Sequence, residues 1–348
     1  MRYVPVNCLN EGMKLGRNVY SPGGTVLLAK EVSLTKEYIE SLKNLVINGV
    51  YVDDDLSKDI RVENIISEEL RVGAVKTIKQ IYNNPKSIVK SLDTVEIIAK
   101  NVMDQILHNK SIMVNMIDIK TFDDYVYSHS VNVGVLAAVL GIGLNLDEIK
   151  LEKLITSALL HDIGKVFIPK NIINKTEELS EKEQKIIKTH PEKGYKYIKQ
   201  YYNIAVTSYV GILQHHERYD GKGYPDKKVG ENISLFGRII SICDAYDNLI
   251  SEKPNKKASI PSEAIEYIMA HNGTTFDPKL VRLFLRKIAP YPLGTIVKLS
   301  NGQTAIVVEN NEECSMRPTV KIIETEKTYN LTQDWNFRNV TIIGVENK

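Results

Sequence analysis

The chain has 348 residues, 43% of them apolar and 25% charged, with a formal net charge of +2 at neutral pH. That length exceeds one average domain of roughly 100 to 200 residues, so the chain can hold two or three; the composition is that of an ordinary globular protein, and the near-neutral charge excludes a global electrostatic footprint for duplex nucleic acid. Three widely spaced cysteines, Cys8, Cys243 and Cys314, provide no disulfide framework and fit a reducing, cytoplasmic setting.

The first residues lack an uninterrupted apolar run, and the most apolar later stretch, residues 131–146, includes Asn132 and Asn145 and falls short of a spanning helix, so no membrane span is expected. Residues 1–58 read as a small α+β module. Strand-like runs flank the turn Ser21-Pro22-Gly23-Gly24, a helical pattern runs through Tyr38, Ile39, Leu42 and Leu45, and the strand GVYV precedes Asp53. Residues 59–115 carry Ile66, Leu70, Ile78 and Ile81 at near-heptad spacing, which suits a linker helix that signals or forms a homodimer and equally suits ordinary core helices. Residues 116–290 are almost wholly helical, with breaks at Gly141 to Asn145, at Pro169 and in the GKGYP loop, so the fold class is mainly α. Residues 291–348 change texture again. TIVKLS, Asn301-Gly302 and QTAIVV read as a type I′ hairpin, and TVKII and VTIIGV supply further strands of a small β domain.

The chemistry concentrates in the helical region, where five of the seven histidines fall between residues 129 and 216. His161 and Asp162 end an apolar run just before Gly164, and burying an imidazole and a carboxylate there costs several kcal/mol unless something satisfies both. A metal ion would do so. His129 lies at one end of the buried stripe of Val131, Val135, Ala138 and Val139; His190 opens a helix; His215 and His216 lead the segment HHERYDGKGYP; Asp244 interrupts the apolar face of RIISICDAYDNLI. Seven side chains exceed the needs of one ion. Two are expected, with Asp162 bridging, His129, His161 and Asp244 completing one site, and His190, His215 and His216 the other.

Such a pair supports hydrolysis of a phosphoester, because the cations stabilise a bridging hydroxide and neutralise charge on the phosphoryl group it attacks. Histidine and carboxylate donors without thiolate favour iron or manganese. Lys165, one helical turn beyond His161, can reach a phosphate held there, or simply be solvated. Glu217 and Asp220 either orient ligand imidazoles and protonate a leaving oxygen or cap their loop, and Gly221 and Gly223 permit the tight turn that brings Tyr224 toward the ligands. His108 and His271 lie outside the pattern and read as structural, and Cys243 as a core filler.

Taken together, HS at 129, HDIGK at 161, HP at 190, HHERYDGKGYP at 215 and the Asp244 segment resemble the HD-GYP family, a branch of the HD superfamily of metal-dependent phosphohydrolases. The resemblance spans roughly residues 110–290. It implies a helical domain with two or three iron or manganese ions that hydrolyses cyclic di-GMP to pGpG or GMP, with Lys165 and Tyr224 meeting the dinucleotide. The alternative is a receptor with an intact pocket and little turnover that signals through the terminal modules. Two departures matter. Three-metal members carry a Glu four residues before the first histidine, where this chain has Tyr125, which points to a two-metal centre; Asp124 would substitute only if the backbone shifted. After Asp244 the family often has Arg-Pro-Tyr-Arg/Lys against substrate, where this chain has Lys253-Pro254-Asn255-Lys256, so Lys253 and Lys256 replace a planar fork by point charges.

Overall fold

The structure is a computed structural model and describes residues 1–21, 25–45, 47, 49–85, 88–108, 113, 125–175, 177–201, 204–251 and 258–346. The chain divides into two compact units, one comprising residues 1–64, 113–125 and 288–348 and the other residues 65–112 and 126–287.

The first unit combines both ends of the chain. Its N-terminal part holds strands β1 (Arg2–Pro5), β2 (Lys14–Leu15), β3 (Val19–Tyr20), β4 (Val26–Leu28) and β5 (Gly49–Asp53) and helix α1 (Lys36–Asn44). Strand β5 is central in the antiparallel order β1-β5-β2, and β3 pairs separately with β4. Thr35 starts α1 by accepting a hydrogen bond from the Tyr38 N–H at 3.3 Å, and Ile39 and Leu42 then pack beneath the sheet on Val4, Val50 and Val52. The C-terminal part is an antiparallel sheet ordered β10-β6-β7-β8-β9, from β6 (Ile296–Leu299), β7 (Thr304–Glu309), β8 (Thr319–Ile322), β9 (Thr328–Asn330) and β10 (Ile342–Val345). The two parts, which read from sequence as separate modules, share a core in which Tyr51, Ile60 and Val62 meet Ile306 and Leu293.

The β6–β7 turn differs from the expected type I′ form. Type I′ needs positive φ at both central residues, but only Gly302 takes it, at 88°, while the Gly302 N–H donates to Leu299 O at 2.9 Å. A bend through Ser300 and Asn301 followed by a left-handed glycine closes the hairpin instead. Of the turn at Ser21, positions 22–24 lie outside the described residues.

The second unit is helical among the described residues: α2 (Glu68–Asn83), α3 (Ile88–His108), α4 (Tyr125–Gly143), α5 (Glu148–Leu159), α6 (Lys170–Ile173), α7 (Glu181–Ile187), α8 (His190–Ile198), α9 (Val206–Gln214), α10 (Leu235–Ile250), α11 (Pro261–Ala270) and α12 (Pro278–Lys287). Helices α2 and α3, where a linker was expected, pack on one another, and α3 also packs on α5, burying Ile78, Ile81, Val95 and Val102. Their apolar stripes thus serve the core. Helix α4 starts at Tyr125, earlier than the apolar stretch suggests. Its window Val126–Gly143 is long and apolar enough to cross a membrane, yet 72% of it is buried within the protein's own fold.

Candidate metal centre

Each functional side chain is delivered by a helix end or a helix interior whose register the sequence sets. Asp147 caps α5 by accepting from the Lys150 N–H at 2.9 Å, and Leu154, Ile155, Ala158 and Leu159 bury its apolar face. The helix stops at Leu160, so His161 and Asp162 fall in the tight turn that leads into the short 3-10 segment Ile163–Phe167. Gly164 lets that turn meet α8, because a Cβ there would stand 1.9 Å from His190 O. Helices α5 and α9 approach closely at Gly211, and Ser157 Oγ donates to Ser208 O at 2.7 Å across the contact. His215 is thereby held at the end of α9. Ser234 caps α10, which carries Asp244 and Asp247 one turn apart on the same buried face.

The ligand atoms of Asp162, His190, His215 and His216 lie within 4.8 Å of one another, as do those of His129, His161 and Asp244. Asp162 joins the two sets, with its oxygens facing different ways. Oδ1 is 3.2 Å from His190 Nε2 and 3.9 Å from His215 Nε2, whereas Oδ2 is 3.5 Å from His161 Nε2 and 3.9 Å from His129 Nε2.

Hydrogen bonding fixes which ring nitrogens face inward. Nδ1 of His161, His190 and His215 each donates to the carbonyl three residues earlier, on Ala158, Ile187 and Ile212, at 2.7, 2.7 and 2.6 Å. A neutral imidazole protonated at Nδ1 has only a lone pair at Nε2. The Nε2 atoms of His190 and His215 stand 3.2 Å apart, so two lone pairs confront each other, and the buried Nε2 of His161 has no hydrogen-bond partner among the described residues. Converging, unsatisfied donors of this kind fit a divalent cation, and the lack of thiolate in the set suits an ion that accepts nitrogen and oxygen ligands. His129 is placed differently, its Nδ1 against Asp247 Oδ2 at 2.7 Å and its Nε2 against Asp244 Oδ1 at 3.0 Å.

Electrostatics match this arrangement. Burial pushes the Asp162 carboxyl up, but the Lys165 ammonium and the His161 and His190 imidazoles outweigh it and hold Asp162 well below the usual carboxylate range. Asp244 is likewise held low, with the His129 hydrogen bond overcoming burial. Burial opposes charge on His129, yet Asp244 and Asp247 raise it to about 9. Burial lowers His216 to about 3 and drives His215 down too, so both are neutral and available to a cation.

The remaining predicted residues divide. The Lys165 ammonium bonds to Asp162 Oδ2. Tyr224 stacks on His216, with centroids 4.9 Å apart and planes at 27°. Glu217 and Asp220 hold the loop: Glu217 accepts from the Asp226 and Lys228 N–H groups at 2.7 and 3.1 Å, and Asp220 pairs with Arg218 through both carboxylate oxygens, at 3.0 and 2.7 Å. Gly221 takes a φ of 77°, and a Cβ on Gly223 would lie 2.3 Å from Arg218 N. Lys253, Lys256 and Asp124 lie outside the described residues. His108 and His271 bond to their own helices, through Asp104 O and Tyr267 O, and Cys243 is fully buried.

Sequence reasoning missed the support around the centre. Asp247 is 0% exposed and also accepts from Asn132 Nδ2 at 2.9 Å, while Asn248 Nδ2 donates to Asp244 Oδ1 at 2.6 Å. The spacing of Asp244 and Asp247, one turn apart on an apolar helix, was the available signal. Tyr82 of α2 sets a buried hydroxyl near enough to Asp162 for that charge, after burial, to help keep it protonated.

A helical domain whose core gathers two histidine-carboxylate clusters joined by one aspartate has the donor set of a paired metal centre. Residues 95–280 match the HD domain family, and residues 296–339 match the KOW domain associated with HD domain. A cyclic di-GMP phosphodiesterase of Pseudomonas aeruginosa is 30% identical over 72% of this chain and 66% of its own length. The cyclic di-GMP phosphodiesterase response regulator RpfG of Xanthomonas campestris is 40% identical over 42% of this chain and 38% of its own length. The chain thus spans 66% or less of the length of these relatives. The solved HDG"Y"P protein Bd1817 of Bdellovibrio bacteriovorus, 21% identical, covers 81% of this chain and 97% of its own with a TM-score of 0.55, which shows a shared fold. The chain belongs to the HD domain family, in its HD-GYP branch.

Proposed function

We propose that this protein is a metal-dependent phosphodiesterase that hydrolyses cyclic di-GMP to pGpG, GMP or both. The observation that carries this reading is Asp162, whose two oxygens face the two clusters at 3.2 and 3.5 Å from the nearest imidazoles. His129, His161 and Asp244 would hold one ion and His190, His215 and His216 the other, with Asp162 shared; the donor set favours iron or manganese. When bound, such a pair of cations activates water for attack on phosphorus and neutralises charge on the phosphoryl oxygens.

The chain's own residues supply the rest. The carbonyls of Ala158, Ile187 and Ile212 keep each Nδ1 protonated and each Nε2 bare, so the donors are organised before any ion arrives. Lys165, 31% exposed at its side chain, sits where its ammonium can also meet a phosphate oxygen beside Asp162. Tyr224 stands at the His216 side of the centre, where its ring can border a bound dinucleotide. The names of the relatives agree with a cyclic dinucleotide substrate.

Protein purified without oxygen and loaded with iron or manganese, incubated with cyclic di-GMP and followed by chromatography, tests the proposal. The parent forms pGpG or GMP and the Asp162→Ala variant does not. Binding of the dinucleotide without product would instead identify a receptor.

A further inference from the structure

Lys188 lies two residues before His190, in the residue that closes α7, and its side chain is exposed. Its ammonium stands over the Tyr224 ring, 5.6 Å from the centroid, and Tyr224 in turn stacks on His216. The three side chains form a continuous column from solvent to the metal centre. Two lysines of α8 are committed elsewhere: Lys196 pairs with Glu192 and Lys193 donates to Phe167 O. Among the described residues no carboxylate lies within 4.0 Å of the Lys188 ammonium.

An unpaired cation at the rim of such a centre has a definite use for a ligand with more than one anionic group. A cyclic dinucleotide carries two phosphodiesters, and only one can occupy the clusters at a time. The second retains its negative charge and must be neutralised at a distance from the first. Lys165 is bonded to Asp162 and serves the first position. We propose that the Lys188 ammonium holds the second phosphodiester, the one not being cleaved, at the Tyr224 rim of the metal centre. This rests on the phosphodiesterase reading and adds to it a source of preference for cyclic dinucleotides over substrates with one phosphate.

The test compares the parent, Lys188→Ala, Lys188→Arg and, as a surface control, Lys196→Ala, all metal-loaded. Two substrates are used: cyclic di-GMP and bis(p-nitrophenyl) phosphate, which has a single phosphodiester. Affinity for the bis-phosphorothioate analogue of cyclic di-GMP, which resists hydrolysis, is measured by calorimetry. Loss of one exposed ammonium–phosphate contact should raise KM for cyclic di-GMP and weaken analogue binding by roughly three- to tenfold. Lys188→Arg restores most of both, and KM for the single-phosphate substrate changes less than twofold. An equal loss on both substrates, which would come from disturbing His190, overturns the proposal, as does unchanged analogue binding. If the parent cleaves only the single-phosphate substrate, the dinucleotide phosphodiesterase reading fails, while analogue binding still decides the role of Lys188.

Discussion

Asp247 accepts the Nδ1 proton of His129 at 2.7 Å in complete burial, and it is the only one of the four inward-facing imidazole anchors that is a carboxylate rather than a carbonyl, among His129, His161, His190 and His215. A charged anchor makes its imidazole a stronger base and a better ligand. Asp247→Asn keeps the shape and removes the charge. It should weaken metal binding at the His129 site by about 10- to 100-fold, the usual range for such partners, with the helical circular dichroism unchanged. Metal titration of the variant checks this, and parent-like affinity would show that the contact only fills space.

Gly164→Ala tests the close passage of the HDIGK turn against α8. The added methyl would overlap His190 O, with a separation of 1.9 Å before relaxation, so the turn or the helix must shift. Overpacking of this kind costs about 1–3 kcal/mol. A lowered thermal midpoint together with loss of metal from the His190 side is expected. A variant with the parent's midpoint and metal content would mean the turn moves freely.

The metal-free protein should be most stable near pH 6.5. His129 has its folded value raised from 6.5 to about 9, so its contribution is complete below 6.5 and is lost as pH rises through about 9. His216 is lowered from 6.5 to about 3, so its contribution is present above 6.5 and is lost as pH falls toward about 3. Asp162 and Asp244, both held low, steepen the acid limb. Thermal midpoints across pH should therefore peak and fall on both sides, and a curve that rises steadily into alkali would contradict the His129 assignment.

The parts of this site that could be read from sequence are those where polar residues interrupt apolar helices. His161, Asp162 and Asp244 had no other reason to sit in runs such as SALLHDIGK, and the structure brings all of them into one centre. Asp247 is not legible in the sequence because beside Asp244 it looks like one more acid on a helix, and only the fold turns it toward His129. Glu217 and Asp220 were ambiguous because a buried loop and a ligand shell both demand acids; the backbone N–H groups of Asp226 and Lys228 claimed the first and Arg218 the second. The Asn301-Gly302 pair marked a hairpin but not its loop length, which decides the turn type. The shared core of Tyr51, Ile60 and Ile306 joins residues about 250 positions apart, and no local pattern encodes such a meeting.

His161→Ala and Asp162→Ala should each abolish hydrolysis while leaving the fold largely intact. His161 Nε2 is buried without a hydrogen-bond partner among the described residues, so truncation removes an unsatisfied polar group together with a ligand. Full activity in a folded, metal-analysed variant would sink the assignment of that residue.

The most direct test of the central claim, a paired metal centre bridged by Asp162, is to add iron or manganese stepwise to metal-free protein and measure cyclic di-GMP turnover at each addition. Turnover is expected to be absent without metal and to reach its maximum at two equivalents per chain. Activity in the metal-free protein, or saturation at one equivalent, would contradict it.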